Sequence, residues 1–150
     1  MALISTGVFP VNQIVFKVDT AYGKTGSPDF VTIADMETAS ISIDTGVENW
    51  NSITENGWQK SLVTAKALTL SMSGKRNFGD AGNDYIASKW NKLGQEANTT
   101  VQVTFPNGDM MEFKAVVSIT DFLGADSTNV APLGFDLISD GEPIYTEAVA

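Results

Sequence analysis

The sequence predicts a mainly β protein: an antiparallel β-sandwich or barrel with one flanking α-helix at about residues 80–93 and a long inter-strand loop at about residues 45–60. Three observations predict it. Apolar and polar residues alternate with a period of two in stretch after stretch, the helical period appears once, and an Asn-Gly turn separates two of the alternating stretches.

Ile14, Phe16 and Val18 alternate with Val15 and Lys17 as the first strand, and Asp19 to Asp29, with Gly23, Gly26 and Pro28, reads as a turn-rich connection. Ile41 and Ile43 alternate with Ser40, Ser42 and Asp44. From Leu62 to Ser73 one face carries Leu62, Thr64, Lys66, Leu68, Leu70 and Met72, while the other carries Val63, Ala65, Ala67, Thr69, Ser71 and Ser73. Between these strands, Thr45 to Lys60 carries Val47, Trp50, Ile53 and Trp58. So long a connection inside a compact domain usually has a function, and Trp is enriched at interface hot spots, so this loop is expected at an interface.

Ile86, Trp90 and Leu93 then fall at i, i+4 and i+7 beside Tyr85, an apolar stripe expected to pack on a sheet. Asp80 or Asn83 can cap the start, Lys89 and Lys92 suit the negative end of the dipole, and Gly94 suits a left-handed stop. Strands resume with Val101, Val103 and Phe105, turn at Pro106-Asn107-Gly108-Asp109, and return with Met111, Phe113, Ala115, Val117 and Ile119 on one face. Phe122 to Val130 is a loop, and a last strand runs near Leu133, Phe135 and Leu137 before Gly141-Glu142-Pro143 turns the chain out.

Composition narrows the function. The chain of 150 residues has no histidine and no cysteine. That excludes Ser/His/Asp and Cys/His nucleophile systems, zinc sites of the usual ligand set and disulfides. Gly23-Lys24-Thr25 and Gly74-Lys75-Arg76 imitate the end of a phosphate loop, but Val18 and Thr69 stand where the first glycine should be. The Asp/Asn sets near Asp80 to Asp84 and Asp121 to Asn129 lack calcium-loop spacing, and no carboxylate pair is marked by its surroundings. The expectation is therefore a protein that is not an enzyme, with no catalytic residues, no cofactor and no metal. No apolar run approaches a membrane span, and Met1 to Val11 has neither the basic nor the apolar region of a signal peptide.

A chain of this length should expose roughly 7,400 Å² folded against roughly 23,000 Å² unfolded, enough burial for a single domain over residues 1–150. Its net charge of −9 is unevenly spread. Residues 1–56 hold seven acids and two bases, residues 57–93 two acids and six bases, and residues 94–150 nine acids and one base. A basic middle between acidic ends suits pairing between copies through Lys89 and Lys92, whereas a single arginine, Arg76, is poor equipment for gripping phosphates.

Taken in order, Glu55-Asn56-Gly57-Trp58, the strand Leu62 to Met72, Gly74-Lys75-Arg76, Gly79-Asp80-Ala81-Gly82-Asn83-Asp84-Tyr85-Ile86, Phe105-Pro106-Asn107-Gly108, the Phe135 strand and Gly141-Glu142-Pro143 resemble the major tail tube proteins of long-tailed bacteriophages. The likeness spans roughly residues 35 to 145, with an N-terminal arm of about residues 1–12 ahead of it. The resemblance implies a structural virion protein whose hexameric rings stack helically into a hollow tube that conducts DNA without binding it specifically. It implies further partners in the tape measure, the tail terminator and the baseplate or distal tail protein, no membrane partner, and a location in the virion tail after assembly in the host cytoplasm. By the same resemblance Trp50, Ile53, Glu55 and Trp58 sit in an inter-subunit loop. A lumen that lets a polyanion slide should be poor in bases, which suits Thr38, Ser40, Ser42, Asp44, Thr69, Ser71 and Ser73 as its lining, with Ile41, Ile43, Leu68, Leu70 and Met72 behind them as core. Two alternatives share the fold class: a monomeric module binding cell-wall carbohydrate through Trp50 and Trp58, and a capsid decoration or connector protein.

Overall fold

The computed structural model describes residues 7–148, so the first half of the expected arm, residues 1–6, lies outside the described residues. After a 3-10 turn at Val11–Gln13 come β1 (Val15–Asp19), β2 (Phe30–Thr32), β3 (Met36–Asn51), β4 (Gln59–Lys75), α1 (Ala81–Ala87), β5 (Asn98–Thr104), β6 (Met110–Phe122), β7 (Pro132–Ser139) and β8 (Ile144–Thr146). All pairings are antiparallel. The strand order is β2-β1-β5-β6-β7-β4-β3, with β8 beside β6.

The mainly β class and the single α-helix hold. The sheet is open, yet bent so that its two ends share one core. Val18 of β1 and Leu70 of β4 belong to one buried cluster with Val101, Val103, Phe113, Val117, Leu133, Phe135 and Leu137. At the opening between the ends, Phe16 and Thr32 face Thr38 and Ala39 across a cavity of about 370 Å³. Alternation supplies this core, since each strand turns every second side chain inward. Helix α1 closes one end by burying Ile86 and Ala87.

A polar clip fixes α1 to the strands. Asp80 is the N-cap, its carboxylate accepting from Asn83 N at 3.0 Å and from Ala34 N at 3.1 Å. Buried Asn83 donates to the carbonyls of Ala34 and Lys75 and accepts from Arg76 Nη1 at 2.8 Å and Asn77 N at 3.0 Å. Arg76 Nη1 also reaches Asp84 at 2.7 Å, and this hydrogen bond is the main reason the Asp84 carboxyl lies below its ordinary pKa. The Gly74-Lys75-Arg76 and Asp80 to Asp84 segments thus meet in one structural network. Replacing Asn83 with Ala removes the four bonds of its side chain and leaves buried groups unpaired, which should cost about 3 kcal/mol in urea unfolding. A stability change within about 0.5 kcal/mol would show that the clip does not hold the fold.

Several expectations need correction. Residues 45–60 are not a long loop. β3 runs to Asn51 and β4 begins at Gln59, so the connection shrinks to a 3-10 turn at Ile53–Glu55 with Asn56 and Gly57 at positive φ. The helical stripe also breaks early. A 3-10 turn at Ser88–Asn91 follows α1, so Ile86 is buried, whereas Trp90 stacks on Phe122 at 5.5 Å and Leu93 is 85% exposed. Ile41 and Ile43 lie opposite Leu70 and Leu68 as the alternation required, but they are on the last strand of the sheet and remain exposed, Ile43 at 59%. Finally, the single face read from Leu62 to Met72 switches sides. Gly46 pairs with Ala65 and Val47 with Val63, so Thr64 is an extra residue in β4 and reverses the facing beyond it.

Candidate assembly surfaces

Two surfaces of the β3–β4 hairpin stand out. The first is a hydroxyl-rich field. Thr38 pairs with Ser73, Ser40 with Ser71, Ser42 with Thr69 and Asp44 with Ala67, so the residues expected to line a lumen come together on one face. Cross-strand partners share a face, and the Thr38 and Ser73 hydroxyls are 2.5 Å apart. The rows continue over β7 and β6. Ser71 lies opposite Asp136, which lies opposite Ser118; Ser73 lies opposite Gly134, which lies opposite Asp121. Neither row contains a base. The next residue on this face of β4 is Lys75, which Glu37 holds at 3.0 Å.

Ser118 and Asp136 are the alternate positions between Val117 and Ile119 and between Phe135 and Leu137, so parity alone puts them on the polar faces of their strands, and only the register aligns them with Ser71.

The second surface is the hairpin's far half. From Gln59 to Ala67 every residue of β4 is exposed, as is most of β3 from Ile41 to Asn51. A two-stranded ribbon with both faces bare is marginal by itself in water. Trp58 is 78% exposed and Ile53 99%, with Trp50 also exposed and Glu55 paired to Lys60 at 3.5 Å. The four residues expected at an inter-subunit contact therefore cluster at the distal end, and neither Trp packs into its own chain's core. The accessible surface, 9702 Å², exceeds the roughly 7,400 Å² of a compact monomer of this size.

The two lysines after α1 separate in role. Lys89 donates to Glu96 O at 2.7 Å and its ammonium lies 4.7 Å from the Tyr85 ring centre. Burial, followed by repulsion from Lys92, pushes its pKa down. Lys92 is exposed and is the one better placed to meet an outside charge. Among the described residues, no group of acidic side chains is arranged to hold a metal ion.

The sequence model of the family described as phage tail tube protein matches residues 10–131. It begins within the first 30 residues, ahead of the stretch that carries the resemblance in sequence. No curated protein matches. Among solved structures, the chain is similar to one from the tail of an empty gene transfer agent (GTA) particle computed with C6 symmetry, at 20% identity and a TM-score of 0.67 over 93% of this chain and 99% of that one. A chain of the native GTA virion matches at 18% identity and a TM-score of 0.65, again over 93% and 99%. A chain of the sixfold-symmetrised anti-feeding prophage baseplate matches at 11% identity and a TM-score of 0.55, over 96% and 98%.

Proposed function

The chain belongs to the phage tail tube protein family, and on that premise we propose that six copies close into a ring, that rings stack into a hollow tube, and that the hydroxyl field of β3, β4, β7 and β6 lines its channel. The observation that carries this reading is the β3–β4 hairpin. One part of it presents rows of Thr, Ser and Asp without a base, and the rest projects bare from the body. A surface passing DNA must avoid accumulating phosphate contacts, and a projecting ribbon with exposed Trp gains stability by burial against another copy. The sixfold symmetry of the similar GTA tail and prophage baseplate supports the ring number. The tube's ends then meet a terminator and a baseplate or distal tail protein, its interior holds a tape measure before DNA passes, and assembly takes place in the host cytoplasm. Electron microscopy of the purified protein tests this directly. Long hollow filaments with sixfold cross-sections are expected, and a species that sediments as a single chain at every concentration would reject it.

The hairpin tip has its own test. Trp58→Ala and Trp50→Ala should each weaken assembly by about 2 kcal/mol or more if the residues anchor the contact. The concentration needed for filaments reads this out. Amide exchange across residues 47–63 should be fast in the subunit and slow in the tube, because ordering at a contact removes the opening motions. Unaltered polymerisation of both variants would take the tip out of the interface.

A further inference from the structure

The sequence holds two Asn-Gly pairs, Asn56-Gly57 and Asn107-Gly108. In such a pair the backbone nitrogen of the glycine can attack the asparagine amide carbon. The new N–Cγ bond closes a succinimide, the Cγ–Nδ2 bond breaks and ammonia leaves with the glycine's proton. Water then opens the ring to aspartate or isoaspartate, with no oxidant, metal or enzyme required. The reaction needs a glycine N–H and an asparagine side chain free to approach each other.

The two turns differ in that freedom. At Asn107-Gly108 both reacting groups are engaged. Gly108 N donates to Phe105 O at 2.9 Å, Asn107 Oδ1 accepts from Asp109 N at 3.0 Å, and both residues are half-buried. Tyr145 adds a hydrogen bond of 2.5 Å to the Asp109 carboxylate and so ties β8 over the same turn. At Asn56-Gly57 both residues are exposed, and neither the Asn56 side chain nor the Gly57 N–H has a hydrogen-bond partner among the described residues. What holds that turn is Trp58 N to Glu55 O at 3.0 Å and Asn51 Nδ2 to Gly57 O at 3.0 Å, neither of which occupies a reacting atom.

We propose that Asn56-Gly57 is a self-modification site, open to deamidation in the free subunit and shut when the hairpin tip is buried in the tube. The second half rests on the assembly reading above. An isoaspartate at 56 inserts an extra backbone methylene and a negative charge beside Glu55, in the turn that sets the position of Trp58. Subunits that wait too long before assembly would thereby lose the tip that joins them to the tube.

The test incubates free subunit and assembled tube at mildly alkaline pH, then maps isoaspartate by methyltransferase labelling and peptide mass spectrometry. Two hydrogen bonds must open at 107 and none at 56, so the rate at 56 should exceed that at 107 by roughly tenfold or more. Asn56→Gly keeps a residue suited to the positive φ and should abolish the label at 56 while still forming tubes. A label at 107 matching that at 56, or none at 56, overturns the site. Equal rates at 56 in subunit and tube overturn the shielding alone. Micrographs of the same samples report separately whether tubes form, so failure of the assembly reading is not mistaken for failure of the site.

Discussion

Gly82→Ala should destabilise the subunit by about 3 kcal/mol, at the upper end of what overpacking usually costs. A Cβ at Gly82 would stand 2.2 Å from Thr32 O and 2.9 Å from Thr32 C, with Ile33 Cα at 3.1 Å. All three are backbone atoms, so no side chain can rotate aside. Relief requires α1 to move off β2, which would lift Ile86 from the core and stretch the bonds from Asp80 and Asn83 to Ala34. Gly79→Ala is the comparison. Its φ of +100° disfavours a side chain but no atom lies near the new carbon, so only a backbone cost of roughly 1–2 kcal/mol is expected. Urea unfolding of the unassembled subunit measures both. If Gly82→Ala lost no more than Gly79→Ala, the close packing of α1 on β2 could not be what secures the helix.

Helix and strand were legible in different degrees for physical reasons. β5, β6 and the second half of β4 bury alternate residues, and burial on one face writes a period-two pattern. β2 and β8 are three residues each, too short to write any pattern. Residues 45–60 read as a loop in the sequence because this end of the β3–β4 hairpin buries neither face in its own chain. Glu48, Asn49, Trp50 and Asn51 therefore show no alternation, and the extra residue Thr64 breaks the phase. The region least legible as structure in sequence is the one that the proposed assembly would bury against another copy. The helix reads longer in the sequence than it is for the opposite reason, because Trp90 and Leu93 keep helical spacing although the backbone tightens to a 3-10 turn at Ser88–Asn91 and is extended at Lys92 and Leu93.

The hydroxyl rows were readable because face assignment needs only parity, whereas the clip around Asn83 was not. Asn83 looked like a possible cap, and nothing in its local sequence indicates that its amide bridges Ala34 to Lys75 while its oxygen takes Arg76 and Asn77. Long-range polar contacts leave no periodic trace. The matching of Ser71 with Asp136 and Ser118 is intermediate, since parity places each on a face but only the register aligns them.

Ser42→Lys and Ser71→Lys together should leave tails of normal form that adsorb but release DNA slowly or incompletely. Ser42 is exposed and Ser71 half-buried on the polar face, in adjacent rows of the β3–β4 pairing. A lysine there can reach solvent along its flexible stem, so the fold should accept both changes. Each subunit then adds two positive charges to the proposed channel wall, and the pattern recurs in every layer of the tube. A single phosphate contact is weak, but many along one polyanion act together and resist its sliding. Because the attraction depends on counterion release, raising the salt concentration should restore the rate of ejection. Single-particle DNA-release kinetics at two salt concentrations give the measurement. Ejection at the unmodified rate from intact tails would put this face on the outer wall, and failure of the variant to fold would put Ser42 and Ser71 against a packed surface, so either result rejects the channel assignment.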